Sequence, residues 1–219
     1  NTNELPPLST KEWYMVIANH QSWVDILVLQ RVLDGKVPFL KFFLKQQLIF
    51  VPIIGLAWWA LDFPFMKRYS KALLAKKPHL RGKDVAATQK SCEKFQLKPV
   101  SVVNFVEGTR FTPQKSAQQG NPYSSLLRPK AGGCAFALNA MSGRLNQLVN
   151  VTIAYPNGIP SFWDFICGRV NEIKLDISVE EIDAELVGDY ENDLQYKARF
   201  QQWLNDKWQD KQITLDRLK

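Results

Sequence analysis

Three short runs of apolar residues limit the folds open to this 219-residue chain more than any other feature. Trp13–Ala18, Pro99–Val106 and Leu148–Ala154 are dominated by β-branched, aliphatic and aromatic residues, which is typical of buried strands. Between them, Ile26–Leu33 and Gly82–Leu97 carry apolar residues at helical spacing. Strands that alternate with helices predict an α/β fold, with a mixed, largely parallel central sheet flanked by helices.

The remaining segments extend this alternation without dividing it. We predict a linker over residues 1–12 and a single domain over residues 13–219, a size that one α/β domain often reaches. A polar loop is predicted over residues 112–129. Further elements are predicted as a strand near Phe63–Met66, a small-residue helix at Gly132–Met141, a strand at Val170–Ile177 and a charged terminal helix at Glu191–Lys211.

The cysteines and histidines are too few and too scattered to suggest a metal centre. Cys92, Cys134 and Cys167 match no metal-ligand spacing and are odd in number, so we expect reduced, buried thiols in a protein that faces the cytosol. With two histidines in the whole chain, a typical zinc site lacks ligands. The strongly apolar charge-free stretch at residues 46–61 is broken by a proline and a glycine and is shorter than the about 20 residues of a membrane-spanning helix.

Positive charge is concentrated in the middle of the chain. From Lys36 to Lys130 there are 17 Lys and Arg residues against 4 Asp and Glu, whereas from Ala131 onward 13 acidic residues outnumber 9 basic ones. Such an excess indicates contact with nucleic acid, a phosphate-bearing substrate or a membrane surface, or else a solvated basic face. No nucleic-acid-binding motif accompanies the charge, and the acidic C-terminal part argues against a uniformly basic surface.

One histidine directly follows the first apolar run, in the stretch VIANHQSWVDILVLQ. Ser22 and Asp25 have the S-x-x-D spacing of a capping box, with Ser22 as the N-cap, and on that interpretation His20 is an ordinary loop residue. The same spacing permits a second interpretation, in which the Asp25 carboxylate reaches back from the first helical turn to one imidazole nitrogen. The ring would then be held in one tautomer, with its other nitrogen free to act as a base. These residues alone leave both interpretations open.

A second polar stretch, NFVEGTR, ends the second apolar run. Gly108 lets the backbone approach a ligand, Thr109 supplies a hydroxyl, and Arg110 offers a fork of donors suited to phosphate. The alternative is a polar turn in which Glu107 and Arg110 pair in solvent. A third stretch, FPFMKRY, ends a short apolar segment on a lysine and an arginine.

The chain contains, in this order, NHxxxxD, a basic residue after an apolar segment, and EGTR. This combination resembles the glycerolipid acyltransferase family typified by the PlsC-like 1-acylglycerol-3-phosphate O-acyltransferases. The likeness spans residues 13–156. Val106 and Asn150 depart from it, since proline is usual at both positions, and this bears on substrate preference more than on activity. The sequence segments FLKQQL, PFMKRYS and RGKDV further resemble the bacterial inner-membrane acyltransferase YihG subgroup. The matching residues are His20 and Asp25 in the first motif, Arg68 in the second, Glu107, Gly108, Thr109 and Arg110 in the third, LVNVTIAYP as the fourth, and Lys45, Lys130 and Gly132 in segments between them.

This resemblance implies an acyltransferase that moves a fatty acyl group from acyl-CoA or acyl-ACP, the thioester on acyl carrier protein, to the free hydroxyl of a lysophospholipid. Lysophosphatidic acid, converted to phosphatidic acid, is the expected acceptor. His20 would be the general base and Asp25 would orient its ring. No metal and no cofactor beyond the thioester co-substrate are implied. Contacts to the phosphate and glycerol would come from Lys67, Arg68, Glu107, Gly108, Thr109, Arg110 and Lys130.

The resemblance also implies a membrane surface as a partner, and an inner (cytoplasmic) membrane location with the site facing the cytoplasm. In this branch of the family two membrane helices would precede the given sequence. The segment Phe39–Phe65, rich in Trp and Phe and flanked by lysines, suits an interfacial surface or an acyl-chain groove, although burial in the core is equally compatible. The alternative from another class is a non-enzymatic lipid-binding protein of the membrane surface. Residues 157–219 carry no recognised motif.

Overall fold

The computed structural model describes residues 7–42, 44–45, 49–50, 54–61, 63, 65–66, 95, 97–141, 143–190 and 192–219. Strands and helices alternate along these ranges. The strands are β1 (Tyr14–Ala18), β2 (Leu40–Phe42), β3 (Leu44–Lys45), β4 (Phe65–Met66), β5 (Ser101–Phe105), β6 (Gln147–Ala154) and β7 (Lys174–Glu181). The helices are α1 (Val24–Leu33), α2 (Ile54–Ala60), α3 (Pro113–Gln118), α4 (Ala131–Ala140), α5 (Phe162–Ile166) and α6 (Leu194–Leu218), with a 3₁₀ turn at Ala184–Leu186.

Five strands form one sheet in the order β2-β5-β1-β6-β7. β1 lies at its centre and pairs parallel with β5 and β6, while β2 pairs parallel with β5. β7 is antiparallel to β6. β3 and β4 form a separate parallel pair. The mixed, largely parallel sheet confirms the predicted fold class.

Helices cover both faces of this sheet, which is why its strands read as continuous apolar runs. On one face, Met15 and Ile17 of β1 belong to a buried cluster with residues of α4 and α6, including Leu138 and Trp208. On the other face, Tyr14, Val16 and Ala18 belong to a second cluster with Val24, Val28 and Leu29 of α1. Alternate side chains of one strand therefore reach two separate cores.

The register brings the carboxyl ends of the central strands to one edge of the sheet. Ala18, the last residue of β1, pairs with Phe105, the last residue of β5, and with Val151 of β6. β6 continues to Ala154. The loops that leave these strands are therefore neighbours, in the position where open α/β sheets bind their ligands.

Several predicted elements differ from the observed ones. The loop predicted over residues 112–129 contains the helix α3. Thr112 caps this helix by accepting a hydrogen bond from the Lys115 N–H, and Pro113 occupies the first helical position. The strand predicted at Val170–Ile177 lies four residues later, as β7, where it pairs with β6 along its whole length. The five-residue helix α5 was not predicted.

The terminal helix begins later and ends later than its sequence prediction. Asp193 caps it by accepting N–H bonds from Gln195 and Tyr196, both at 2.9 Å. Its buried stripe continues past Lys211 to Leu215. None of the helices in the described part of the chain is both long and apolar enough to cross a bilayer. Most of the predicted helix Gly82–Leu97 lies outside the described residues.

Candidate active site

Three of the strand ends at this edge carry polar side chains that converge. His20 follows β1 by two residues, Glu107 follows β5 by two residues, and Tyr155 comes directly after β6. Asp25 reaches the same place from the first turn of α1. Because β5, β1 and β6 are adjacent and parallel, residues more than a hundred positions apart in sequence meet at one point.

The Asp25 carboxylate is the centre of the site and is fully buried. Its Oδ2 atom lies 2.9 Å from His20 Nδ1 and accepts backbone N–H bonds from Gln21 at 2.7 Å and Ser22 at 2.8 Å. Its Oδ1 atom accepts the Tyr155 hydroxyl at 2.5 Å. One side chain therefore both accepts backbone N–H bonds before the start of the helix and contacts the imidazole, so bonds of the capping type and the histidine contact occur together.

The capping-box geometry itself is only half realised. The helix begins at Val24 with Trp23 as its N-cap, so Asp25 stands one position earlier in the helix than Ser22 capping requires. The Ser22 N–H donates to Asp25, but the Ser22 hydroxyl accepts from the Val24 N–H at 3.2 Å and donates to the Pro160 carbonyl at 2.7 Å. The prediction of Ser22 as the N-cap is wrong, because the helix begins one residue later and Trp23 occupies that position; the Ser22 hydroxyl also ties the loop to Pro160.

Both the ring and the backbone of His20 are held in place. It stacks on Phe105 with a centroid distance of 4.1 Å and an angle of 17°, and the Phe111 N–H donates to the His20 carbonyl at 2.7 Å. Since Nδ1 faces the carboxylate, the neutral ring with its proton on Nδ1 leaves the lone pair of Nε2 for a substrate. The His20 side chain is 13% exposed, so the ring is reachable but mostly shielded from water.

Tyr155 is a site residue whose role sequence reasoning missed, although it lies in the segment that matches the fourth motif. Burial, with the adjacent charge and hydrogen bond of Asp25, raises the pKa of Tyr155 far above its usual range. The hydroxyl therefore remains protonated and donates to Asp25 at any working pH. A single aromatic residue after an apolar run gives no signal of such a contact in the sequence.

Glu107 does not lie in solvent, which overturns the alternative of an exposed Glu107–Arg110 pair. It is fully buried, and its two oxygens accept backbone N–H bonds from His20 and Leu127, each at 3.2 Å. Burial raises the pKa of Glu107 to about 8, against the lowering effects of these two bonds and of the charge of Lys211. In this arrangement the carboxylate braces the loop that carries His20. Its predicted contact with a substrate glycerol stays a prediction.

The turn after Glu107 presents cations to solvent. Gly108 has φ +70°, a conformation that favours glycine, and a Cβ built there would lie 3.6 Å from Cδ and Nζ of Lys130. The exposed Arg110 places its guanidinium 4.9 Å from the Trp23 ring, and Lys115 Nζ donates to Thr109 Oγ1 at 2.8 Å. The predicted residues Gly108, Thr109, Arg110 and Lys130 are thus brought together beside His20.

Two predicted phosphate ligands, Lys67 and Arg68, lie outside the described residues, and so does Cys92. Cys134 is buried as predicted, whereas the prediction that Cys167 is buried is wrong, because it is exposed at the end of α5. Lys45 lies in β3, and Gly132 lies in the first turn of α4.

In this α/β protein, a buried carboxylate holds a histidine at the carboxyl edge of the parallel strands, and exposed cations lie beside it. Such a site is suited to general-base chemistry on an anionic substrate. The model of the Acyltransferase family matches residues 2–156, and the chain belongs to this family.

Individual relatives are distant and longer than this chain. The 1-acyl-sn-glycerol-3-phosphate acyltransferase 2 of Brassica napus is 28% identical over 164 residues, which cover 68% of this chain and 39% of the relative. The gamma acyltransferase of the same name from Mus musculus is 26% identical over 215 residues, covering 92% of this chain and 52% of the relative. The chain thus spans about two fifths to one half of the length of these curated relatives.

A crystal structure of the 1-acyl-sn-glycerophosphate acyltransferase PlsC from Thermotoga maritima is 20% identical to this chain, with a TM-score of 0.49. The similarity covers 94% of this chain and 70% of that one.

Proposed function

We propose that this protein transfers a fatty acyl group from an acyl thioester to the free hydroxyl of lysophosphatidic acid, with His20 as the general base. The contact between His20 Nδ1 and the buried Asp25 carboxylate, at 2.9 Å, carries this proposal. It fixes the one tautomer that can accept a proton on Nε2. Membership of the Acyltransferase family and the names of the relatives support the choice of reaction.

The proposed reaction needs no acyl-enzyme intermediate. His20 Nε2 takes the proton of the acceptor hydroxyl while that oxygen attacks the thioester carbonyl. The imidazolium that forms is stabilised by Asp25, whose charge is held in place by the Tyr155 hydroxyl and two backbone N–H groups. The tetrahedral intermediate then expels the thiolate, which recovers the proton from His20. An ester and a free thiol are the products.

In this proposal, the phosphate of the acceptor binds to the cations around the Gly108 turn. Arg110 and Lys130 are exposed and lie beside the loop that carries His20. Arg110 offers bidentate donors and Lys130 a point charge, so together they can fix the phosphate and thereby the hydroxyl. Lys67 and Arg68 are proposed as further ligands on the strength of their motif position.

We further propose that the site faces a membrane surface. Among the large exposed apolar side chains of the described residues, two groups bear on this proposal. Around the site these are Trp23, Ile159, Phe162, Trp163 and Ile166, and in the basic middle region they are Phe39, Phe50, Leu56, Trp59 and Leu61. Aromatic side chains of this kind, next to cations, are suited to an anionic lipid interface. The bond from the Ser22 hydroxyl to the Pro160 carbonyl joins the first group to the His20 loop.

The acyl donor and the cellular location complete the proposal. The donor is acyl-CoA or acyl carrier protein, and the location is the inner membrane with the site facing the cytoplasm, as in the YihG subgroup. These assignments rest on the sequence resemblance and on the basic middle region.

The decisive experiment is the replacement of His20 by alanine in the full-length protein purified in detergent. We expect acyl transfer from acyl-CoA to lysophosphatidic acid to be lost while the melting temperature changes little. His79→Ala makes the same substitution at the other histidine, which belongs to none of the motifs, and should leave the rate unchanged. Near-native turnover in a folded His20→Ala variant would exclude the general-base role.

The same variant tests the alternative of a non-enzymatic lipid-binding protein, which the exposed aromatic side chains favour. If the wild-type protein transfers no acyl group from either thioester, but binds anionic vesicles equally well with and without His20, that alternative replaces the enzyme.

A further inference from the structure

The terminal helix α6 carries a buried lysine that the proposed reaction does not use. Lys211 is 1% exposed, and its Nζ donates to the Val151 carbonyl at 2.6 Å and to the Thr152 hydroxyl at 3.2 Å. The Trp208 ring centroid lies 5.2 Å from the same nitrogen. Burial of an ammonium group is strongly unfavourable unless another charge compensates it. The lysine also lies beyond the segment that the family model matches, so the motifs give no reason for it.

The position of Lys211 relates it to the catalytic loop. Val151, which accepts its hydrogen bond, pairs in register with Ala18, two residues before His20. The next residue of α6, Gln212, accepts the Ser125 N–H at 3.2 Å and so holds the loop that contains Leu127. Helix α6 therefore lies against the two parts of the chain that Glu107 connects by hydrogen bonds, the one that leads to His20 and the one that contains Leu127.

Besides Asp25, this region buries the acid Glu107 and the base Lys211, and each of these two favours the charged form of the other. Burial raises the pKa of Glu107 to about 8. The backbone N–H groups of His20 and Leu127 and the charge of Lys211 lower this pKa, and the charge of Asp25 raises it. Burial lowers the pKa of Lys211 to about 7, and the charges of Glu107 and Asp176 raise it.

The separate hydrogen bonds of the two groups decide which of them carries a proton near neutral pH. Both oxygens of Glu107 face N–H donors, which a carboxylate satisfies and a protonated carboxyl satisfies only in part. Lys211 faces a carbonyl and a hydroxyl, which suit an ammonium. The ionised pair therefore fits the surroundings better than the neutral pair.

We propose that Lys211 is a positioning residue for the reaction: its buried ammonium keeps Glu107 ionised, and the ionised Glu107 holds the backbone of His20 in its working position. This inference rests on the proposed function for its catalytic consequence. Loss of the ammonium leaves Glu107 protonated at neutral pH. One of its two backbone donors then loses its acceptor, and the His20 loop is released.

Lys211→Met tests this, because methionine keeps an apolar stem of similar length without the charge. Lys207→Met is the matched control, one turn earlier on the same helix, where the lysine pairs with Glu180 at 2.5 Å on a half-buried surface. We expect Lys211→Met to move the acid limb of the kcat profile up by at least about one pH unit, with about a tenfold loss at pH 7.5. Lys207→Met should leave the profile in place. An equal loss at every pH would indicate a merely structural lysine and overturn the proposal.

Glu107→Gln supplies the second arm, since an amide does not titrate. Whatever acid limb remains in Glu107→Gln belongs to other groups, and the addition of Lys211→Met must not move it. A further shift in the double variant would show that Lys211 acts by another route, and would contradict the inference.

A measurement without substrate separates this inference from the proposed function. We expect a double-mutant cycle of Glu107→Gln and Lys211→Met, followed by urea unfolding, to be non-additive by at least about tenfold in the folding equilibrium constant. The double variant should be more stable than Lys211→Met alone, and the same comparison serves if that single variant hardly folds. Additive effects would refute the coupling even if wild-type acyl transfer were observed. A clear coupling with no acyl transfer would refute only the function.

Discussion

Replacement of Asp25 by asparagine separates the charge of this side chain from its hydrogen bonds. Oδ2 accepts from His20 Nδ1 and from the N–H groups of Gln21 and Ser22, and the two backbone donors cannot turn away. Oδ1 accepts from the Tyr155 hydroxyl, which can rotate and accept a bond instead. Asparagine can therefore keep its oxygen at the Oδ2 position and direct its nitrogen to Tyr155, so that all four bonds persist.

What asparagine removes is the charge that faces the imidazolium. Two unit charges about 4 Å apart attract by about 4 kcal/mol at an effective dielectric constant of about 20. Because each 1.36 kcal/mol corresponds to about a tenfold change in rate, kcat should fall by at most about 10³-fold. Stability should fall less. Each of three bonds weakens by about 1 kcal/mol on a neutral acceptor, while the cost of burying the charge disappears.

Asp25→Ala gives the contrasting result. It leaves the N–H groups of Gln21 and Ser22 and the hydroxyl of Tyr155 buried without this acceptor, at about 1–3 kcal/mol each. The total is a large part of the about 5–15 kcal/mol that stabilises a typical domain. We expect severe destabilisation in addition to the loss of activity.

Urea unfolding and initial rates of acyl transfer on the same preparations distinguish these cases. Asp25→Asn should unfold near the wild-type midpoint with kcat reduced about 10²- to 10³-fold. Adding Tyr155→Phe removes the acceptor of the amide nitrogen and should cost a further about 1–3 kcal/mol of stability. An asparagine variant with native kcat, or one as unstable as the alanine variant, refutes the reasoning from these four bonds.

Three further predictions follow from the charges of the molecule. Arg110→Ala should raise the KM for lysophosphatidate about tenfold or more without changing the KM for the thioester, and Arg110→Lys should restore only part of this loss. Steady-state kinetics with each substrate varied would show the reverse pattern if Arg110 bound the donor. Binding to anionic vesicles should weaken as salt rises and should fall at every salt concentration in Trp163→Ser, as measured by co-sedimentation, whereas equal binding to neutral vesicles would argue against the basic surface. The unfolding free energy should pass through a minimum near pH 7–8. The reason is that Glu107 and Lys211 together bind one more proton in the folded than in the unfolded chain between about pH 4.5 and 7, and one fewer between about pH 8 and 10.5. Each limb of the stability curve should have a slope of up to about 1.4 kcal/mol per pH unit, and both limbs should vanish in Glu107→Gln/Lys211→Met.

The fold could be predicted from the sequence as far as its central strands are buried on both faces. The runs that become β1, β5 and β6 carry a continuous apolar signal because cores lie on either side of them. β7 was placed four residues too early, since it lies at the edge of the sheet and alternates polar with apolar residues, so pairing with β6 rather than its own composition sets its limits.

The candidate site was predictable only where a contact is local. His20 and Asp25 are five residues apart, and their contact follows from a loop that enters a helix. Tyr155 reaches the site through strand order, and Lys211 is placed behind it, on β6, through the packing of α6. No local pattern in the sequence encodes either placement. The same holds for the burial of Glu107, because a polar turn in sequence gives no sign that the chain folds over it.

The side chain of Asn19, between β1 and His20, offers a way to watch this site open. Its Nδ2 donates to the Ile153 carbonyl at 2.9 Å and its Oδ1 accepts the Ile153 N–H at 2.8 Å, so an amide side chain continues the β1–β6 ladder past the last residue of β1. The Ile153 amide hydrogen can exchange with solvent only when this junction separates. Its exchange rate therefore reports local opening next to His20, without global unfolding. A bound substrate that holds the His20 loop closed will slow that single amide before it slows the rest of β6.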